Sequence, residues 1–298
     1  MKPIVTVTGA TGRVGKALTA RLLKHEIHVR AVARSAEHLA PLAAQGAEAH
    51  AGTLDDIPFL AAAFRGAGVV FVLLPGSPPN VPDYLADQAR MTSRLVQALD
   101  MSGVERVVAL SGQGAGLRLG SFAVFTGLEE ALRSLDGPAV VALRSCFQMT
   151  NHLGAIPLIK RAGINAGALR ADLPLPMIAS RDIAAVAAEY LLAPSFSGYQ
   201  VRDLLGPRAY THREATAILG AAIGRPDLPY IEWSYEESRT NLLGMGFSAG
   251  RAETLLQLQT VLNEEPANLY PPRTAANTTP TTLEAFARDT FVPAYQAG

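Results

Sequence analysis

Val7-Thr8-Gly9-Ala10-Thr11-Gly12-Arg13-Val14-Gly15 is the stretch on which the reading of this chain turns. It closes a short β-branched run, Ile4–Thr8, and opens a segment in which Val14, Leu18, Arg21, Leu22 and His25 recur at helical spacing. At such a junction Gly9 permits a tight turn, Gly12 lets a pyrophosphate approach the backbone, and Gly15 lets helix pack on strand. The first N–H groups and the positive end of the helix then face the phosphates. Three glycines alone are a weak signal. The strand before them and the helix after them supply the context that predicts dinucleotide binding.

Outward from this loop the pattern repeats. Apolar runs at Ile27–Ala33, Val69–Leu74, Val104–Leu110 and Ala139–Leu143, with a weaker one at Ala47–Ala51, alternate with segments of helical length. This predicts right-handed β-α-β units and a parallel sheet covered on both faces. Beyond residue 150 the alternation stops. Helices are expected at Asn151–Arg161, Arg181–Leu192, after Thr211, at Ser248–Leu262 and at Leu283–Thr290, and strands at Tyr199–Leu204 and Leu228–Trp233. The fold class is therefore α/β, a doubly wound parallel Rossmann sheet with a smaller mixed C-terminal substrate lobe. The expected division is 1–150 for the dinucleotide-binding domain and 151–298 for a mainly substrate-binding lobe, some of whose segments return to the sheet.

The end of the second strand selects the dinucleotide. A carboxylate there binds a ribose 2′-hydroxyl, and a base accepts a 2′-phosphate. The sequence reads Arg30-Ala31-Val32-Ala33-Arg34-Ser35, without a carboxylate. Arg34 and Ser35, with Arg13 from the glycine loop, are placed to grip a phosphate, so NADP(H) is favoured over NAD(H). Arg30, inside the strand, has the weaker claim.

Composition limits the remaining classes. Of 298 residues, 26 are basic and 26 acidic, and 49% are hydrophobic against 17% charged. The balance predicts a globular core without a field that would attract nucleic acid. No apolar run reaches membrane-spanning length and no signal peptide is visible, so a soluble cytoplasmic protein is expected, with no membrane partner. The single cysteine, Cys146, has no internal partner, and the six histidines show no metal spacing, so no metal site is expected.

Several stretches together carry a resemblance. Thr8-Gly9-Ala10-Thr11-Gly12-Arg13-Val14-Gly15, Ala33-Arg34-Ser35, Gly52-Thr53-Leu54-Asp55, Val104–Ser111, Leu143-Arg144 leading to Phe147 and Asn151, Ser180-Arg181-Asp182-Ile183-Ala184, Leu205-Gly206-Pro207 and Gly224-Arg225-Pro226 resemble the NmrA-like branch of the atypical short-chain dehydrogenase/reductase superfamily. The resemblance spans nearly the whole chain. It implies an NAD(P)-binding Rossmann fold closed by a smaller lobe, in a family that includes NADPH-dependent quinone reductases, isoflavone-type reductases and redox-sensing regulators that do no chemistry. It implies that Gly9, Thr11, Gly12, Arg13 and Val14 line the pyrophosphate and that Arg34 and Ser35 hold the 2′-phosphate. It further places Leu54 and Asp55 by the adenine, and Leu74 and Pro75 by the ribose and nicotinamide. Asp55 has an equal claim as a helix cap, because Asp55-Asp56 begins a helix.

The chain departs from typical short-chain dehydrogenases in its chemistry. Those enzymes use Tyr-x-x-x-Lys, yet no tyrosine lies between Tyr84 and Tyr190 and no lysine between Lys24 and Lys160. Hydride transfer to a quinone or another conjugated, apolar acceptor survives this loss, because the product can take its proton from water. Ser111 and Gln113, in a glycine-rich loop after the fifth strand, and His152 are the catalytic candidates. Phe147 and Asn151 are the substrate-binding ones, and Phe122, Phe125 and Met149 can add to an apolar wall. Glu129 is expected on exposed helix surface. The expected partner is a small apolar or aromatic substrate, with a homodimer left open. The alternative is a non-catalytic sensor that binds NADP(H) and reports redox state to a partner protein.

Overall fold

A computed structural model describes residues 3–264 and 269–297. The first half runs β1 (Ile4–Thr8), α1 (Arg13–Lys24), β2 (His28–Ala33), α2 (Ala36–Ala43), β3 (Glu48–Ala51), α3 (Ile57–Phe64), β4 (Val69–Val72), α4 (Tyr84–Ser102), β5 (Arg106–Gly112), α5 (Phe122–Arg133) and β6 (Ala139–Ser145). The second runs β7 (Phe147–Gln148), a 3-10 stretch at Met149–Ala155, α6 (Ile156–Ala162), β8 (Asn165–Gly167), β9 (Leu175–Ile178), α7 (Ser180–Leu192), β10 (Tyr199–Leu204), β11 (Ala209–Tyr210) and α8 (His212–Ala222). It continues with β12 (Tyr230–Glu232), α9 (Tyr235–Gly244), α10 (Ala249–Glu264), α11 (Leu283–Phe286) and α12 (Val292–Ala297).

Seven strands form one parallel sheet in the order β3-β2-β1-β4-β5-β6-β10. Its central strands bury side chains on both faces, which explains runs such as Val69–Val72 in which nothing alternates. Helices α1, α2 and α7 close one face around Leu18, Leu39 and Ile183, and α3, α4 and α5 close the other around Phe64, Leu95 and Leu128. The direction of strand addition reverses between β1 and β4. That switch opens a crevice beyond the carboxyl ends of the strands, where doubly wound sheets bind ligands.

The rest of the second half builds the smaller lobe. β9 pairs parallel with β7 and antiparallel with β11, and β12 lies parallel to β8. These short strands and the helices around them enclose a second core that includes Met149, Met177, Tyr210 and Phe291. Among the described residues no helix is long and apolar enough to cross a membrane.

Two predicted helices change form. Asn151–Arg161 divides into the 3-10 stretch and α6, because Pro157 is accepted only in the first turn of an α-helix, where its missing N–H costs nothing. Leu283–Thr290 is α11 followed by a π turn at Ala287–Phe291. The helix α9 was not expected. It has almost no apolar stripe and is set instead by a capping box, in which Ser234 and Glu237 satisfy each other's backbone N–H groups.

The resemblance motifs of this half are joints between segments. The Arg225 guanidinium donates to the Ile159 carbonyl (3.0 Å) at the end of α6. Buried Asp182 accepts from the Thr281 hydroxyl (2.6 Å) and its N–H (2.9 Å), pinning the C-terminal segment to α7. Asp182→Ala is therefore expected to cost about 2 kcal/mol, because a buried donor pair loses its charged acceptor. Urea denaturation checks this, and a change under ~0.5 kcal/mol would show that the joint contributes nothing.

Candidate functional site

At the switch point the chain turns sharply. Gly9 adopts φ +61°, a conformation that L side chains rarely take, and a Cβ on Gly15 would lie 2.2 Å from the Gly9 carbonyl oxygen. The turn closes through Gly12 N–H on the Gly9 carbonyl (2.9 Å). The first intrahelical bond of α1 runs from Lys16 N–H to the Gly12 carbonyl (2.7 Å). The N–H groups of Arg13, Val14 and Gly15 are thereby left at the open end of the helix, with no side-chain cap. Thr11, Gly12 and Arg13 are accessible, whereas Val14 and Gly15 are buried against the strand. An anionic pyrophosphate fits this cradle, since backbone donors and helix dipole point the same way and Gly12 and Arg13 are exposed.

Arg34 lies exposed just past β2, and neither it nor Arg13 has a hydrogen-bond or ion-pair partner among the described residues. Ser35 caps α2, its Oγ accepting from His38 N–H (3.2 Å), and its hydroxyl proton is still available to donate. Arg30 is structural: its guanidinium donates to the carbonyls of Ala63 (3.2 Å) and Arg65 (2.8 Å).

Asp55 is not the cap of α3. Asp56 takes that role, accepting from Phe59 N–H at 3.0 Å, while the Asp55 carboxylate pairs with Arg90 and Arg94 of α4. Leu54 and Leu74 both pack half-buried against the core cluster on the α3–α4–α5 face of the sheet. Leu74 and Pro75 follow β4, in a loop tied to α4 by Gln88, whose amide donates to the Pro75 carbonyl (3.1 Å) and Ser77 Oγ (2.8 Å).

A cavity of about 610 Å³ opens beyond the ends of β5 and β6, between the sheet and α6, α9 and α10. The volume suits a drug-sized ligand. Phe122, Phe125 and Phe147 line it, as do Gln113, Asn151 and His152; Met149 does not, being wholly buried in the lobe core. The Gln113 amide nitrogen donates to the Arg144 carbonyl and the Asp203 carboxylate, both at 2.9 Å, so only its carbonyl end is free for a ligand.

Proton donors are scarce here. His152 packs between Phe147 (5.6 Å between centroids) and His212 (5.8 Å), with Nε2 3.4 Å from Met177 Sδ. Burial, reinforced by His212, pushes its pKa down to about 3, which removes it from general acid or base work near neutrality. His212, stacked on Tyr230 at 5.2 Å, falls to about 4 through burial alone. Burial pushes the Cys146 thiol up to about 12, so it stays protonated.

Ser111 and Glu129 belong to the core. The Glu129 side chain is only 3% exposed, not on helix surface, and accepts from Arg144 Nε (2.9 Å) and Nη2 (2.7 Å), Ser111 Oγ (2.6 Å) and Tyr199 OH (3.0 Å). Burial alone would raise this carboxyl; the bidentate Arg144 and the two hydroxyls outweigh it and hold the pKa below the ordinary range. Ser111 is spent in this network and does not line the cavity.

Sequence reasoning missed other lining residues: Tyr84, Arg161, His212, Trp233, Arg251 and Gln259. For two of them a signal was present. Arg251 and Gln259 share a face of the predicted helix Ser248–Leu262, but nothing local says that this face meets the sheet.

Residues 9–134 match the NAD(P)H-binding family model. The chain is 32% identical over 257 residues to a (4-alkanoyl-5-oxo-2,5-dihydrofuran-3-yl)methyl phosphate reductase of Streptomyces griseus, covering 85% of each chain. It is 29% identical over 259 residues to an NAD(P)H azoreductase of Xenophilus azovorans, covering 86% of each. In fold it is similar to an Escherichia coli NADPH-dependent quinone oxidoreductase solved with NADPH: TM-score 0.77, 22% identity, 96% of this chain and 99% of that one.

The neutral histidine pair has a thermodynamic signature. In the unfolded chain both imidazoles titrate near 6.5, so between about pH 4 and 6.5 the unfolded state binds more protons than the folded one. Stability therefore falls as pH drops from 7 to 5, by up to about 1.4 kcal/mol per pH unit for each histidine. Urea midpoints across that range are expected to flatten by about one proton in His152→Phe and again in His212→Phe. Slopes unchanged in both variants would contradict the neutral assignment.

Proposed function

This chain belongs to the NAD(P)H-binding family, and on that premise we propose that it is an NADPH-dependent reductase of a quinone or similar conjugated, apolar acceptor, in the NmrA-like branch that its motifs resemble. One observation carries the choice of acceptor: an aromatic-walled cavity stands at the carboxyl edge of the sheet, and burial keeps its two histidines neutral and its cysteine protonated. Such a site is unsuited to reducing an isolated carbonyl, whose developing alkoxide needs a proton at once. A conjugated acceptor spreads the charge and draws its proton from water, so it needs alignment alone. Azo compounds and quinones, the acceptors for which two of the similar proteins are named, are both conjugated.

Bound NADPH supplies the hydride. The residues that would hold it are the glycine loop for the pyrophosphate and Arg34, Ser35 and Arg13 for the 2′-phosphate. Leu54 and Asp55 flank the adenine, and Leu74 and Pro75 the ribose and nicotinamide. The unpartnered guanidiniums of Arg13 and Arg34 favour the phosphorylated cofactor. Phe122, Phe125 and Phe147 stack the acceptor, Gln113 and Asn151 orient it, and His152 shapes the wall as a neutral ring.

Two measurements test this reading. NADPH titration followed by addition of a quinone panel is expected to give tight binding and acceptor-dependent loss of the reduced nicotinamide absorbance. Tight binding without oxidation by any acceptor would favour a redox sensor instead. Arg34→Ala is expected to weaken NADPH by about 1.5–3 kcal/mol and to leave NADH nearly unchanged. Equal losses for both cofactors would remove Arg34 from the phosphate site.

A further inference from the structure

One wall of the cavity is a single face of α10. Arg251, Leu255, Leu258, Gln259 and Leu262 recur at helical spacing along it, so the wall is apolar with two polar positions. Arg251 lies at the end of this stripe nearest the loop that follows β4. Ser248, three residues earlier, donates its N–H to the Pro79 carbonyl (2.9 Å) and its hydroxyl to the Val81 carbonyl (2.6 Å).

The Arg251 guanidinium sits 3.4 Å above the ring of Tyr84, which also lines the cavity. It has no carboxylate within ion-pair distance, and its Nη1 is buried without a hydrogen-bond partner among the described residues. Removing a guanidinium nitrogen from water without a partner is costly, and the Tyr84 ring offsets only part of that cost. Among the described residues the cavity lining contains no aspartate, glutamate or lysine, and its formal charges are Arg251 and Arg161. Three more buried polar atoms of the lining lack hydrogen-bond partners among the described residues: Ser121 Oγ, Gln259 Oε1 and His212 Nε2. The wall is thus positively charged, partly desolvated and unsatisfied on the protein side.

We infer that Arg251 is an anion-binding residue, and that the acceptor this cavity takes is a conjugated ring bearing an acidic substituent, a carboxylate, sulfonate or phosphate. The inference rests on reading the cavity as the acceptor site. The planar guanidinium matches such a group with two parallel N–H donors, and its stacking on Tyr84 holds the fork in place before the ligand arrives.

Trp233 is the only tryptophan of the chain and lines the same cavity, so its fluorescence reports occupancy directly. The experiment titrates the full chain, with NADP+ present, against 4-nitrobenzenesulfonate and the neutral isostere 4-nitrobenzenesulfonamide, whose nitro groups quench tryptophan. The sulfonate is expected to bind at least about tenfold tighter, the size of one charge-assisted hydrogen bond. In Arg251→Met, which keeps an apolar stem over Tyr84, the ratio is expected to fall to about one, and in Arg251→Lys to recover in part. A thermal melt confirms that each variant is folded. Equal affinity for the two ligands in the parent protein would overturn the inference. So would a preference that survives Arg251→Met but disappears in Arg161→Met, or a loss of NADPH affinity in Arg251→Met as large as the loss for the sulfonate. Because no turnover is read, these outcomes are separate from the reductase assay: a protein that binds the sulfonate selectively yet oxidises NADPH with no acceptor sinks the reductase reading alone.

Discussion

The buried carboxylate of Glu129 is the interaction on which the site end of the sheet depends. It reaches from α5 to Ser111 on β5, Arg144 on β6 and Tyr199 on β10, so one charge gathers one helix and three strands. Arg144 extends the arrangement, because its carbonyl receives Gln113, which also binds Asp203 of β10. A charge withdrawn from water is tolerable only when its lone pairs are filled, and here both oxygens are engaged. The ends of β5 and β6 are therefore fixed in relation to each other, and from those ends Gln113 and Phe147 enter the cavity.

That arrangement also explains the character of the cavity. Ser111, the hydroxyl near the carboxyl end of the fifth strand that attracts a catalytic reading, is committed to Glu129. The two histidines are packed among rings and kept neutral by burial, and the cysteine is kept protonated. What faces the cavity is a set of flat, largely apolar surfaces with a pair of arginines at the wall. Such a site selects by shape and charge, and leaves the reactivity to the cofactor and acceptor themselves.

The sheet and its phosphate loop were legible because their signals are local. A strand buried on both faces reads as an unbroken apolar run, and Gly9 and Gly15 are dictated by neighbours within a few residues. The features that escaped depend on partners far along the chain. Glu129 looks like any helix-surface glutamate until Arg144 and Tyr199, 15 and 70 residues away, fold over it. Asp55 stands beside the true cap, Asp56, and is claimed by arginines 35 and 39 residues on. His152 carries no sign in its own segment of the burial that Met177 and His212 impose. The helix α9 was hidden for another reason, since a helix set by its cap alone shows no periodicity.

The cavity draws much of its wall from α6, α9 and α10 and the short segments near β8 and β12, which lie outside the seven-stranded sheet. The cofactor cradle, by contrast, is set by the sheet's own turns, where a single added methyl group collides with backbone. Mutation therefore meets two different materials in one chain. The frame is brittle to substitution while the wall is permissive, so the cavity can be reshaped by changes in a few helices without having to solve the folding problem again.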